Sequence, residues 1–294
     1  MNLPRPVVER ILRTWNESGN GWVDRFEERL HHVCLRWQLT NLQPFPNLSY
    51  HFVARAKQFG NPVVLKLGVP NPEFNQAAQA LRAFDGHGCV RLLEYDPRVA
   101  AMLLEDVRPG APLEQSWTAK EDDPHTTCIA NTMLRLWRAP TSKGHPTLGQ
   151  WFRYFEQDQP QISTDLLDRA RALFDELNRT RGEEKLLHGD LHHGNLLQSE
   201  CGLKAIDPKG VIGEPGFEIY ALLRNPVQAT PDQLLRLATR RIKIVSQVTN
   251  IDSERLRQWG FCGTMLSACW IAEEGGTIPE ATLELARRLD SRGL

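Results

Sequence analysis

The chain has 294 residues, with 35 Lys+Arg against 36 Asp+Glu and 41% hydrophobic residues. That is ample material for a buried core and excludes both a disordered chain and a mini-protein scaffold. A net charge of -1 gives no bulk attraction to nucleic acid or to an anionic membrane, so neither is an expected partner and a charged ligand has to be recognised locally.

In chain order, Met1 to Arg10 carries prolines and charges where a secretory apolar region would stand, and cytoplasm is the expected location. Two helices follow, Val7 to Trp15 and Asp24 to Trp37, separated by Ser18-Gly19-Asn20-Gly21, with Asp24 as N-cap. His51 to Ala56 and Pro62 to Leu67 read as an antiparallel hairpin turning at Lys57 to Asn61. Glu73 to Phe84 has apolar residues at helical spacing, and Cys89 to Tyr95 and Val99 to Leu104 read as strands around Asp96-Pro97. At Arg108-Pro109-Gly110 the texture becomes helical: His125 to Trp137, Leu148 to Gln157, Thr164 to Arg181, Pro231 to Val248, Ser253 to Ala272 and Pro279 to Arg292. The weakly polar run Phe261 to Ala272 is shorter than the roughly 18 residues a membrane helix needs. The six cysteines are scattered without a C-x-x-C pair, which speaks against a zinc ribbon or a redox motif.

One polar island, Leu186 to Gly216, interrupts the helices and holds brief strands at Leu196 to Gln198 and Leu203 to Ile206. In L-H-G-D-L-H-H-G-N-L-L, Asp190 and Asn195 stand five apart, the spacing of the H-x-D-x-x-x-x-N catalytic loop of kinases. Asp207 follows at the end of a short apolar strand in A-I-D-P-K-G. A loop of this length lets an Asp meet an incoming hydroxyl while the Asn oxygen and a second Asp face a hard cation such as Mg2+. A zinc-hydrolase loop is the competing reading, because His188, His192 and His193 flank the Asp. Lys66, the lone charge in V-V-L-K-L, fits the phosphate-binding lysine of a kinase strand.

These motifs resemble the aminoglycoside phosphotransferases, in particular the streptomycin 6-kinase-like branch of aminoglycoside and hydroxyurea resistance kinases. The resemblance spans most of the chain and is sharpest from Leu187 to Pro226, with a second stretch from Leu81 to Leu93. It implies an α+β, protein-kinase-like fold of two lobes: residues 1–105 as a small nucleotide-binding lobe of antiparallel strands with N-terminal helices, and residues 106–294 as a mainly helical lobe with the catalytic loop and acceptor site. It implies ATP and Mg2+ as cofactors and a hydroxyl of a small molecule such as streptomycin as acceptor. Asp190 would be the base or hydroxyl-orienting residue, and Asn195 and Asp207 the Mg2+ ligands.

For the nucleotide, Lys66 would pair with Glu73, although the family's glutamate would fall near Ala77, one turn later. Ser49 would face phosphate in place of a glycine loop, and Met102 to Asp106, including Leu104 and Glu105, would meet the adenine edge. For the acceptor, Glu214, Glu218, Glu273 and Glu274 are the candidate carboxylates, with Trp270 as a wall; Glu218 has a rival role as a brace of the loop. Acceptors of a metabolic kind, such as an amino sugar, a glycated amine or an amino alcohol, stay open, as does a catalytically silent nucleotide-binding module. The chain is expected to act as a monomer or homodimer.

Overall fold

The computed structural model describes residues 3–46, 48–138, 144–226 and 228–291. Asn47, beside the expected phosphate contact, and Arg292, in the last expected helix, lie outside the described residues. Two compact units meet the chain division at Arg108/Pro109, rather than at Glu105/Asp106. Asp106 explains the difference, since its 2% exposed carboxylate accepts from Arg55 at 3.2 Å and pairs with Arg108, holding these residues to the first unit.

The first unit opens with α1 (Arg5–Asp24) and α2 (Phe26–Arg36). The break expected at Ser18 to Gly21 falls slightly earlier, where two helical stretches meet at a kink, and a Cβ at Gly19 would lie 2.8 Å from the Ile11 carbonyl oxygen, so glycine allows the close approach after the kink. The irregularity sits at Asn16 (φ 44°), and Asp24 ends α1 rather than capping α2. The buried faces of these helices, Val7, Ile11, Trp22, Phe26, Leu30 and Val33, share one core with Phe52, Leu65 and Leu103 of the sheet. Burial on that scale, worth roughly 1.5–3 kcal/mol per large apolar side chain, is what makes α1 and α2 part of the unit.

The sheet is antiparallel, built from β1 (Leu39–Pro44), β2 (Phe52–Gln58), β3 (Asn61–Leu67), β4 (Leu92–Asp96) and β5 (Ala101–Glu105), in the order β1-β2-β3-β5-β4. The β2–β3 hairpin turns on Phe59 and Gly60, both at positive φ, the conformation that matches strand twist in a two-residue turn. β1 was not expected, because L-T-N-L-Q-P lacks the apolar alternation that marks a strand. Between β3 and β4, α3 (Pro72–Phe84) starts at Asn71, whose side chain accepts from the Phe74 N–H at 2.9 Å, and it buries Phe74, Ala78, Leu81 and Phe84.

The second unit runs through β6 (Pro109–Pro112), α4 (Asp122–Leu136), α5 (Leu148–Trp151), α6 (Thr164–Arg179), β7 (Lys185–Leu187), β8 (Leu196–Ser199), β9 (Gly202–Ala205), β10 (Val211–Gly213), α7 (Ile219–Leu223), α8 (Pro231–Thr249), α9 (Ser253–Glu273) and α10 (Glu280–Asp290). After α5 the chain tightens into a 3-10 turn to Glu156, so the expected helix from Leu148 to Gln157 is two pieces. α9 is the central post. From Trp259 to Cys269 every residue is buried, and α6, α7, α8 and α10 pack around it. Two small ladders, β6-β8-β9 and β7-β10, carry the polar island. No helix among the described residues is long and apolar enough to cross a membrane. All six cysteines are free thiols, with Cys128 and Cys201 exposed.

Candidate active site

The catalytic loop hangs from β7, whose Leu186 and Leu187 are fully buried and pair with Ile212 and Val211 of β10. His188 and Gly189 then turn inward. Their backbone N–H groups donate to the two carboxylate oxygens of Glu218, at 2.9 and 2.8 Å. Tyr220 donates its hydroxyl to the Gly189 carbonyl at 2.7 Å. Glu218 is wholly buried, and burial pushes its pKa up to about 7 against the opposing effect of the two N–H donors. Glu218 is therefore a brace of the loop and is not open to an acceptor.

His188 is locked in one tautomer. Its Nδ1 accepts from the Asp190 N–H at 3.2 Å, which leaves Nε2 as the donor to the Ile206 carbonyl at 2.8 Å. Burial lowers its pKa to about 4, so it is a neutral strut from the loop to the residue before Asp207. His192 accepts from the Gly194 N–H through Nδ1, and its Nε2 lies 3.8 Å from Asp190 Oδ2. His193 is buried against Trp117 and His125, and burial lowers its pKa to about 3. With both ring nitrogens of His188 spent and His193 turned into the core, the three histidines do not converge, which removes the basis of the zinc-hydrolase reading.

Asp190 ends this network with its side chain 35% exposed. Asn195 sits across the loop, its Nδ2 donating to the Asp190 carbonyl at 2.9 Å and lying 3.4 Å from Asp190 Oδ2. Fixing the amide nitrogen in this way directs the amide oxygen elsewhere, as an oxygen ligand for a cation requires. Asn195 lies just before β8, and Asp207 lies just past β9. The Ile206 N–H donates to the Asn195 carbonyl at 2.9 Å, so the hairpin brings the two candidate ligands to its open end. Asp207 is exposed and holds φ 57°, a left-handed conformation uncommon outside glycine, though less so for Asp, and concentrated at functional sites. An amide oxygen and a carboxylate make a hard-oxygen donor set that fits Mg2+.

The other expected carboxylates separate. Glu214, at the end of β10, is held by Arg255 of α9 in a two-bond pair at 2.7 and 2.6 Å. Arg255 also reaches Thr180 Oγ1 and the Leu177 carbonyl, so Glu214 serves to tie α6, β10 and α9 together. Glu273 and Glu274 are exposed at the C-terminal end of α9. Trp270, one turn earlier, meets Trp151 and Tyr154.

In the first unit, Lys66 is 6% exposed on β3, opposite Met102 of β5, with its ammonium 5.8 Å over the Phe74 ring. Glu73 precedes that Phe in the first turn of α3 and is exposed. Ser49 is exposed in a turn whose carbonyls, those of Leu48 and Ser49, accept from Arg10 of α1. Met102 and Leu104 are buried in a strand paired on both sides, and the Glu105 N–H donates to the Arg91 carbonyl at 3.0 Å. The stretch with backbone outside the sheet thus begins at Asp106, whose own carboxylate is engaged by Arg55 and Arg108. Sequence reasoning missed Arg10, Trp151, Tyr220 and Arg255; each acts on residues distant in sequence and carries no local motif.

The chain is similar to known proteins in sequence and in fold. Residues 36–275 match the family model described as aminoglycoside/hydroxyurea antibiotic resistance kinase. A streptomycin 6-kinase of Streptomyces glaucescens is 29% identical, covering 98% of this chain and 97% of its own length. A hydroxyurea phosphotransferase of Kitasatospora aureofaciens is 30% identical, over 99% of this chain and 87% of its own. Among solved structures, a choline kinase from Streptococcus pneumoniae superposes with a TM-score of 0.61 at 13% identity, over 90% of this chain and 97% of that one. An aminoglycoside phosphotransferase in complex with ADP and hygromycin B gives 0.60 at 12% identity, over 90% and 99%. These two likenesses carry the fold, which is the protein-kinase-like one. The catalytic-loop geometry and the family match lead to one conclusion: the chain belongs to the aminoglycoside/hydroxyurea antibiotic resistance kinases, and it is a phosphotransferase with a hydroxyl group as acceptor.

Proposed function

We propose that the protein transfers the γ-phosphoryl group of ATP, with Mg2+, to a hydroxyl of a streptomycin-type aminocyclitol. The observation that carries this reading is the partly exposed Asp190 carboxylate, on a loop whose backbone is held by Glu218, His188 and Asn195. Asp190 orients the acceptor hydroxyl and takes its proton as the oxygen bonds to the γ-phosphorus and the bond to ADP breaks. Asn195 and Asp207 hold Mg2+, which when bound neutralises charge on the phosphate oxygens. Lys66 serves the α- and β-phosphates with Glu73 as its carboxylate partner, Ser49 and its N–H face phosphate, and the backbone from Asp106 onward meets adenine. Glu273 and Glu274 attract the cationic groups of the acceptor. Glu214 and Glu218, engaged by Arg255 and by the loop backbone, drop out of the acceptor set. The reaction is placed in the cytoplasm, where ATP is supplied, and is carried out by a monomer or homodimer.

A coupled ADP-release assay tests this reading with streptomycin, other aminoglycosides, hydroxyurea, amino sugars and no acceptor. Streptomycin is expected to stimulate release, and Asp190→Ala and Asp207→Ala each to reduce it by at least about 100-fold with unchanged far-UV circular dichroism. Chelation by EDTA is expected to stop turnover, with recovery on adding Mg2+. Stimulation by an amino sugar alone would move the acceptor to a metabolite, and wild-type turnover in either variant would overturn the assigned roles.

A further inference from the structure

One row of aromatic side chains beside the catalytic loop has no part in holding the loop by hydrogen bonds. Trp151, the last residue of α5, presses its ring edge on Gly189: a Cβ at that glycine would lie 2.8 Å from Trp151 Cη2. Gly189 also holds φ +79°, so contact and backbone both require glycine beside Asp190. The same indole meets fully buried Phe217 at 6.0 Å between ring centroids and Trp270 of α9 at 5.3 Å, nearly perpendicular at 81°. Tyr154 closes the row, 6.5 Å from Trp270. Unlike Phe217, the residues Trp151, Tyr154 and Trp270 are only partly buried. A continuous aromatic wall therefore runs from the residue before Asp190 to the C-terminal turn of α9.

The charge at the far end of the wall selects its occupant. Glu273 and Glu274 stand three and four residues beyond Trp270, on the same helical face and at the helix end that already carries partial negative charge. Carboxylates at a helix C-terminus are locally unfavourable, and a cation is what relieves them. An indole or phenol face next to such a field attracts guanidinium and ammonium groups through its quadrupole.

We infer that Trp151, Tyr154 and Trp270 form the acceptor wall, that it takes a guanidinium- or ammonium-bearing ring of the acceptor, and that Trp151 sets the distance from that ring to Asp190. The inference rests on the proposed use of Asp190 as the residue that meets the acceptor hydroxyl. Trp270 is then a specificity residue. Trp151 is a positioning residue, because its contact with Gly189 couples the seated ring to the loop.

Two measurements keep the wall and the proposed reaction separable. In steady-state kinetics with streptomycin, Trp270→Ala is expected to raise the acceptor KM about tenfold, with kcat and the KM for ATP nearly unchanged. Trp270→Phe, which keeps an aromatic face, is expected to restore most of that loss. Trp151→Leu is expected to lower kcat as well as raise the acceptor KM. In calorimetry without nucleotide, wild-type protein is expected to bind streptomycin but not an uncharged oligosaccharide of similar size, and Trp270→Ala to lose that binding. If streptomycin is phosphorylated while both variants keep the wild-type acceptor KM, the wall is wrong and the reaction stands. If streptomycin binds through Trp270 without being phosphorylated, the reaction is wrong and the wall stands. If wild-type protein binds neither probe, the wall falls by that result alone.

Discussion

A carboxylate buried with no cation beside it needs hydrogen bonds from elsewhere, and Glu218 draws them from the N–H groups of His188 and Gly189. The consequence is a pH dependence of stability. Burial raises the Glu218 pKa to about 7, so between pH 4.5 and 7 the folded chain holds a proton that the unfolded chain releases, and this residue's contribution falls as pH rises. His188 works in the opposite sense: burial lowers its pKa to about 4, so the folded chain binds fewer protons than the unfolded chain between pH 4 and 6.5, and stability from this residue rises with pH. The two partly cancel over that interval. Glu218→Gln is expected to destabilise more at pH 5 than at pH 8, and to expose the His188 dependence as a steeper loss of Tm on acidification. Thermal melts of both proteins across that range check it; parallel curves would contradict it. The sequence offered a bracing role for Glu218 but no such role for Glu214. Both follow Asp207 within eleven residues, and only the approach of Arg255 from α9 decides that Glu214 is spent on a cation.

Among elements, α1 has the least obvious task. Its Ile11 and Trp22 belong to the core under the sheet, which is enough to keep the helix in place. It also holds the turn before β2. Arg10 donates to the Leu48 and Ser49 carbonyls, and Trp15 lies edge-on to Tyr50 at 5.9 Å. Where a glycine-rich loop would gain its shape from backbone freedom, this turn gains it from a neighbouring helix. Arg10→Gln removes charge-assisted hydrogen bonds worth about 1.5–3 kcal/mol in total or less. It is expected to lower Tm by several degrees and to raise the KM for ATP several-fold while the acceptor KM stays put. A stability loss with an unchanged KM for ATP would take the turn out of phosphate binding. Elements with strong periodicity or turn chemistry, such as α3, α9 and the β2–β3 hairpin, were legible in the sequence. β1 was not, and neither were β7 and β10, which span only three residues each and exist because Leu186 and Val211 face each other's strands in the folded chain.

At the scale of the molecule, the helical unit is pinned by one buried ion pair. Arg241 of α8 and Asp122 of α4 are 0% and 1% exposed and 119 residues apart in sequence. Arg241 also donates to the carbonyls of Leu222 and Asn225 at 2.6 Å, and Trp117 donates to Asp122 at 2.8 Å. Burial alone would raise the Asp122 pKa, but hydrogen bonding to and the charge of Arg241 hold it below the ordinary carboxylate value. Asp122→Asn strands a buried guanidinium and is expected to cost about 3–5 kcal/mol in denaturant unfolding, whereas Asp122→Leu with Arg241→Met is expected to recover most of it. Equal losses in the single and double variants would show that the pair itself, rather than an orphaned charge, carries the energy. With every cysteine reduced, a reducing agent is expected to leave the unfolding midpoint unchanged. None of this long-range pairing was readable from the chain, since Asp122 and Arg241 each look like an ordinary residue of an amphipathic helix. The chain divides at Arg108/Pro109, where hairpin punctuation in the sequence gives way to helical periodicity.

The β8–β9 hairpin, finally, separates what must stay fixed from what is free to vary. Asn195 and Asp207 stand at its open end, while Glu200 and Cys201 form an exposed tip beyond strands of four residues each, about 13 Å at strand rise. A peptide spliced in at the tip would lengthen the loop without altering the spacing of Asn195 and Asp207. A dye attached to the Cys201 thiol would ride on the same rigid ribbon. The tip is thus a ready port for a reporter or an immobilisation tag, through which events at Asn195 and Asp207 could be watched without touching them.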